Sequence, residues 1–291
     1  MRTDRPRKEL LLREMQVRKA RRDEAWALSN CWSIKVPGEG RMLIPLRDAQ
    51  LSALEHFNAH RYSLTLKARQ IGWSTIVAAH SWWLAWFGSD REILLISRGE
   101  REAGELLAKI KYGIDHLPEW VRKRGPSVTS MTKSRIDFDN GSSIISLPSA
   151  SNPARGFSGY LVIVDEWAFL QNPEEAWAAI EPVADVGGRI IGLSTANGYG
   201  NFFHDLWVGA ETGTNQFVTM FHSWRAGGRD DAWYQIKKDA LPEWQLAQEY
   251  PDNPEEAFIK SGNPVFDLER LHEMMQMVMT PRVGLLVEKV A

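Results

Sequence analysis

Leu161-Val162-Ile163-Val164-Asp165-Glu166 sets four apolar residues directly before two adjacent carboxylates. A run of that kind reads as a strand covered on both faces in a parallel sheet, where alternation gives way to continuous hydrophobicity. Open α/β sheets place their ligands outside the carboxyl ends of such strands. Asp165 and Glu166 therefore stand where a cation or a reacting water would be handled. The bland alternative is a strand-end pair that caps the next helix.

About a hundred residues upstream, Lys67-Ala68-Arg69-Gln70-Ile71-Gly72-Trp73-Ser74-Thr75 joins a strand pattern at Arg61–Leu66 to a helical one at Ser74–Phe87. A strand–loop–helix junction presents backbone N–H groups and a helix N-terminus to phosphate. The loop keeps the second glycine and the hydroxyl of G-x-x-x-x-G-K-[ST], as Gly72 and Ser74, with Thr75 as a second hydroxyl. It lacks the first glycine and has Trp73 where lysine is expected. Lys67 stands at the opposite end of the loop, and a loop curled around phosphates brings its ends together. The competing reading is a tight turn with a surface Lys and Arg, and for Ser74 a helix N-cap. Two carboxylates tipping a buried strand favour the phosphate reading, with Asp165 holding Mg²⁺ and Glu166 acting on water.

Glu92–Ser97 and Arg189–Ser194 read as further buried strands. Arg135–Phe138 and Ser143–Leu147 flank Asn140-Gly141 as a β-hairpin. Helices are expected over 8–28, 48–56, about 99–115 and 174–184, and a last strand over 217–223. Strands alternate with helices, so the fold class is α/β with a mainly parallel, doubly wound sheet.

With 44% hydrophobic and 25% charged residues, the chain has the composition of a globular domain. No apolar run reaches the roughly 18 residues of a membrane span, and the first residues lack a signal-peptide pattern. One cysteine, Cys31, excludes an internal disulfide framework and multi-cysteine zinc sites. The net charge of −2 hides nine Lys/Arg against three acids in residues 1–22. That basic arm suits nucleic acid phosphates or is simply a solvated helix. Arg122, Lys123 and Arg124, and the pair Arg225 and Arg229, invite the same two readings, the solvated surface being the simpler. His80, His204 and His222 fit no metal spacing. Trp82, Trp83 and Trp86 share a helix and read as core.

Taken in order, these segments resemble the ATPase domain of a large terminase, the DNA-packaging motor of tailed phages. Pro45-Leu46-Arg47-Asp48-Ala49-Gln50 resembles its adenine-reading region, with Gln50 on the base. The 67–75 loop resembles its phosphate loop in the lysine-first variant, with Gln70, Gly72, Trp73, Ser74 and Thr75 around the nucleotide. Ala154-Arg155-Gly156 and 161–166 resemble its arginine and acidic-strand block. Leu193-Ser194-Thr195-Ala196-Asn197-Gly198 resembles its coupling motif, and Tyr250-Pro251, Glu255-Glu256-Ala257-Phe258 and Ser261-Gly262 its closing signature. The likeness spans roughly residues 40–266.

It implies a P-loop NTPase of the additional-strand, RecA-like type with a small helical subdomain. The implied substrates and cofactors are ATP and Mg²⁺. Ser74 and Asp165 would hold the metal and Glu166 would activate water. Lys67 would neutralise phosphate charge, shared with or replaced by Arg69. Thr195 and Asn197 would sense the γ-phosphate, unless they form only a strand-end turn. Arg155 is a finger supplied to a neighbouring subunit, or a loop arginine bound to backbone or DNA. Implied partners are double-stranded DNA, a homo-oligomeric ring, the portal protein and the small terminase subunit. The implied setting is the host cytoplasm at the procapsid, away from membranes and the mature virion.

The expected organisation is a basic helical arm over 1–40, an ATPase domain over 41–265, and over 266–291 a linker to a C-terminal nuclease. Beyond Pro264 only 27 residues remain, with Asp267, Glu269, Glu273 and Glu288 as acids. That is too few for a nuclease domain, so no DNA cleavage is expected; the chain is part of a longer protein or an ATPase alone. Two other functions share parts of this pattern: a superfamily 2-like nucleic-acid translocase, and a nucleotide-regulated DNA-binding scaffold that does not hydrolyse.

Overall fold

The computed structural model describes residues 4–148, 157, 159–185 and 187–259. In chain order the elements begin with α1 (Asp4–Arg22), α2 (Glu24–Cys31), β1 (Ser33–Val36), β2 (Gly40–Leu43), α3 (Asp48–Ala59), β3 (Tyr62–Lys67) and α4 (Trp73–Phe87). They continue with β4 (Glu92–Ser97), α5 (Glu100–Asp115), α6 (Glu119–Arg122), β5 (Val128–Met131), β6 (Arg135–Phe138), β7 (Ser143–Pro148) and β8 (Leu161–Asp165). The last are α7 (Pro173–Asp185), β9 (Arg189–Ser194), α8 (Phe202–Glu211), β10 (Val218–His222), α9 (Asp231–Ala240), α10 (Glu243–Glu249) and α11 (Pro254–Ile259).

Eight strands form one sheet in the order β10-β3-β9-β8-β4-β7-β6-β5. Every pair from β10 to β7 is parallel, and the hairpin strands β6 and β5 close one edge antiparallel. The hairpin turns at Asn140-Gly141 as expected, with Gly141 at φ +79°. β9 lies between β3, which leads into the loop, and β8, which carries the acids. This inserted strand is the mark of the additional-strand architecture expected from the resemblance.

Both faces of the sheet are covered, which is why its strands read as unbroken apolar runs. Ile93, Leu95, Ile163 and Ile191 pack with Trp32, Phe57, Ile76, Val77 and Trp82 on the α2–α5 side. Leu64, Leu66, Leu94, Val162 and Val164 face Trp167, Ile180, Phe203 and Phe258 on the other. Alternate residues of each strand thus serve opposite cores. Trp82 is fully buried and tilts against Trp32 at 5.0 Å, while Trp83 donates its Nε1–H to Ala20 O at 2.8 Å. The tryptophans of α4 are core, as expected.

The helix expected over 8–28 is two helices. Asp23 breaks the run because its carboxylate accepts the Trp26 N–H at 2.9 Å and starts α2 afresh. Ala20, Ala27, Leu28 and Trp32 are buried with α4, whereas Leu10, Leu11, Leu12 and Met15 of α1 are exposed. Glu24 of α2 is likewise buried, pairing with His80 at 2.6 Å and accepting from Asn58 at 2.8 Å. His80 therefore serves packing between helices. β5, α6 and α8–α11 have no counterpart in the sequence reading.

Candidate active site

Strand register brings the chemistry to one rim. Leu66 pairs with Ser194, Leu193 with Asp165 and Val164 with Ile96. Lys67, Thr195, Glu166 and Ser97 therefore leave the sheet side by side at its carboxyl edge, the place where such sheets bind ligands. A cleft of about 340 Å³ opens there, lined by Arg69, Ser74, Ser97, Asp165, Glu166, Thr195, Glu249 and a basic-acidic wall from the start of α5.

Two contacts join the loop to the acids. Lys67 Nζ lies 3.0 Å from Glu166 Oε1, and Ser74 Oγ donates to Asp165 Oδ2 at 3.1 Å. Glu166 makes its contact by adopting a left-handed backbone, φ 55°, ψ 46°. Among the described residues Gln70, Asp90 and Glu166 are the non-glycines with positive φ. Two of those three flank the cleft, and such strain persists only where surrounding contacts enforce it. Gly72, at φ +92°, holds a backbone that side chains strain to adopt, and a Cβ there would also displace the Gln50 amide, 2.7 Å away.

The electrostatics follow from burial. Desolvation pushes the Lys67 ammonium towards neutrality, but Glu166, Asp165 and Glu249 outweigh it and hold its pKa above the ordinary lysine value. Asp165 is pushed up to about 6 by burial and by Glu166, against the pull of Lys67 and the Ser74 hydroxyl. Burial also works against the Glu166 charge, yet attraction and hydrogen bonding from Lys67, the Thr195 N–H and Arg69 carry its pKa below the usual carboxylate range. The site thus stores negative charge beside a single buried ammonium.

The other expected site residues differ in where they stand. Thr195 lines the cleft, and the strand end that carries it is tied back to the acids' own segment. Ser194 Oγ accepts the Ala168 N–H at 3.1 Å, and Asn197 Nδ2 donates to Ala168 O at 3.0 Å. Arg69 sits at the rim, its guanidinium exposed and paired with Glu249 at 2.7 Å. Gln50 is buried: its side-chain oxygen accepts the Arg47 N–H at 3.2 Å and its amide nitrogen abuts Gly72. Trp73 and Thr75 do not line the cleft. The Trp73 ring packs edge-on to His222 at 4.7 Å and near Phe57, because one step along a helix turns a side chain by about 100° from Ser74. Arg155 lies outside the described residues, as do the 266–291 stretch and Ser261-Gly262.

Several contributors escaped the sequence reading. Glu249 touches the loop from α10. Arg98, Arg101 and Lys109 with Glu102 form the α5 wall, where Glu102 pairs with both arginines. Ser97 ends a buried strand just as Asp165 does, which was a usable signal. Arg229, for which a solvated surface was the simpler reading beside a DNA contact, donates to two loop carbonyls, and Arg225 pairs with Asp231 at 2.7 Å.

A lysine-led loop opening a helix, facing an acid-tipped strand across one inserted strand, defines a P-loop nucleoside triphosphatase. The comparisons with known proteins carry this further. The family described as "Terminase large subunit, T4likevirus-type, N-terminal" matches residues 64–263. The chain belongs to that family, and is the ATPase region of a viral DNA-packaging motor. The large terminase ATPase domain of Thermus phage P74-26 superposes with a TM-score of 0.60 at 20% identity, covering 74% of this chain and 94% of that one. The large terminase of bacteriophage HK97 gives 0.62 at 16% identity, covering 78% of this chain and 54% of the other. A large terminase of a thermophilic bacteriophage, solved with ADP, gives 0.52 at 10% identity, covering 68% and 50%. The chain therefore spans about half the length of the last two proteins.

Proposed function

We propose that the chain hydrolyses ATP with Mg²⁺ at the 67–75/165–166 cleft and uses the cycle to move double-stranded DNA into a procapsid. The observation that carries this reading is the paired contact of loop and acids, Lys67 with Glu166 and Ser74 with Asp165. A hydroxyl and a carboxylate oxygen 3.1 Å apart suit magnesium, which takes few protein oxygens and completes its shell from phosphates and water. Among the described residues no group of three or more His, Cys, Asp or Glu could hold a metal on its own. When bound, the ion neutralises phosphate charge; Ser74 and Asp165 would hold it.

ATP brings a new anion to Lys67, so the ammonium transfers from Glu166 to the β/γ-phosphates. Arg69, engaged with Glu249 at the rim, is the less suited of the two cations. Glu166 loses the partner that depresses its pKa and becomes a better base. Held by the Thr195 N–H, it orients a water in line with the γ-phosphate and accepts its proton. The Ser194 and Asn197 bonds to Ala168 couple that event to the segment after β9. Arg155, from a neighbouring subunit, supplies charge at the transition state. Such a residue is worth about 10³–10⁵ in rate in other phosphoryl-transfer enzymes. Gln50 sits against the loop where it would contact the base.

The motor works as a homo-oligomeric ring on the portal protein, with the small terminase subunit, in the host cytoplasm. Among the described residues no helix is long and apolar enough to cross a membrane. DNA contact has one structural support. Arg13, Arg18 and Arg21 of α1 stand with Lys123 and Arg124 around two shallow grooves that also carry Glu9, Glu14 and Glu119, the last paired with Lys123 at 2.6 Å. Phosphate release by wild type and Glu166→Ala tests the reading. Turnover that the substitution abolishes, with nucleotide still bound, supports it. Absence of turnover in both makes the chain a non-hydrolysing scaffold.

A further inference from the structure

The turn after β10 packs closely against the loop. A Cβ on Gly227 would lie 3.2 Å from Ile71 Cγ2, and Gly228 adopts φ +73°. From this turn Arg229 donates Nη1–H to Arg69 O and Nη2–H to Gln70 O, each at 3.2 Å. Its guanidinium rests on Trp233, 4.1 Å from the ring centroid, and near Tyr250 at 5.3 Å. Those two rings meet edge-to-face at 5.1 Å, one from α9 and the other just past the end of α10. Beside them Glu249 accepts the Arg69 N–H on its backbone oxygen at 2.7 Å.

A trans peptide is planar, with its C=O and N–H pointing opposite ways. Fixing the carbonyls of Arg69 and Gln70 on the Arg229 side therefore turns the N–H groups of Gln70 and Ile71 to the other side. The left-handed Gln70, φ 58°, needs such enforcement to persist. A planar fork with two parallel donors is suited to hold two successive carbonyls at once. We infer that Arg229 is a positioning residue: it sets the phosphate loop's peptides for ATP before the nucleotide arrives. This rests on the reading of 67–75 as the phosphate-binding loop.

The test compares Arg229→Ala, Arg229→Lys and, as a control on the same turn, Arg225→Ala. ATP-analogue binding, KM, kcat and nucleotide-free melting are measured on the full chain, with hydrogen exchange at loop amides 68–75. Arg229→Ala is expected to raise KM and the analogue's Kd about tenfold with kcat changed little, because loop N–H groups bind ground and transition states alike. Loop amides exchange faster in the nucleotide-free variant, and Arg229→Lys recovers part of the affinity. Arg225→Ala leaves both constants unchanged. Lowered melting with unchanged KM and unchanged loop exchange makes Arg229 a structural strut and overturns the inference. Should Arg229→Ala fail to fold, Arg229→Lys decides on the same two readouts. A wild-type chain that binds no ATP removes the loop reading and this inference together; wild-type binding that the folded variants match removes the inference alone.

Discussion

Asp165→Asn is expected to make the nucleotide-free protein more stable while ending its turnover. Burial and the neighbouring Glu166 push the Asp165 carboxyl from 3.8 to about 6. A displacement of about 2 in pKa corresponds to about 3 kcal/mol of destabilisation by the ionised group at pH 8. Asparagine removes that charge but retains one acceptor. Asp165 now accepts from Ser74 Oγ and from the Glu166 N–H, each at 3.1 Å, so one bond worth about 1 kcal/mol is lost. The net gain is on the order of 1–2 kcal/mol, a few degrees in melting temperature for a domain of this size. Its pH dependence has a definite sign. The folded-state pKa lies above the unfolded one, so the wild-type fold binds a proton first as pH falls and gains stability from about pH 7 down to about pH 4. The advantage of Asp165→Asn is therefore full at pH 8, under about 1 kcal/mol at pH 5, and reversed below both pKa values, where only the lost bond, about 1 kcal/mol, remains. Urea unfolding of the nucleotide-free proteins at the two pH values measures this. A variant less stable than wild type at pH 8, or an advantage that grows on acidification, refutes the picture of a frustrated charge awaiting a cation.

Trp73→Phe is expected to leave KM for ATP within about twofold, while Trp73→Ala, emptying a nearly fully buried site, costs about 3–5 kcal/mol in unfolding experiments; a KM that follows ring identity would put the indole in the pocket. Arg155 acting between subunits predicts a rate per subunit that climbs with protein concentration, and Arg155→Ala mixed with Glu166→Ala should regain turnover. A rate independent of concentration, or no regain on mixing, counts against the trans assignment. Replacing Arg18, Arg21, Lys123 and Arg124 by glutamine is expected to weaken DNA binding uniformly across sequences. The slope of log K against log salt should drop by about 0.9 for each phosphate that the variant no longer neutralises, and an unchanged slope excludes this surface.

What the sequence disclosed is what local chemistry writes into it. β4 and β9 were readable to the residue, because strands covered on both faces must be apolar throughout. The meeting of Asp165 and Glu166 with the 67–75 loop was readable because Lys67 and the acids stand at strand ends that the parallel topology aligns. Arg229 and Glu249 were not readable. They reach the loop across 160–180 residues of chain, and nothing in their own neighbourhoods distinguishes them from solvated charges. The α5 wall was hidden for the same reason, since Arg98 and Arg101 look like the surface of an amphipathic helix. Its place in the motif sets Trp73 at the nucleotide, whereas helix geometry sends its side chain into the core between Phe57 and His222. The Asp23 break in the first helix was hidden inside a periodic pattern, since one capping carboxylate does not interrupt the spacing of apolar residues.

A crystal structure of the chain with a non-hydrolysable ATP analogue and Mn²⁺, the metal located by its anomalous signal, decides where triphosphate and metal sit. The expected result is one site, with Lys67 Nζ moved from Glu166 onto the terminal phosphates and the metal between Ser74 and Asp165. A triphosphate bound elsewhere, or one seated on Arg69 while Lys67 stays on Glu166, would contradict it.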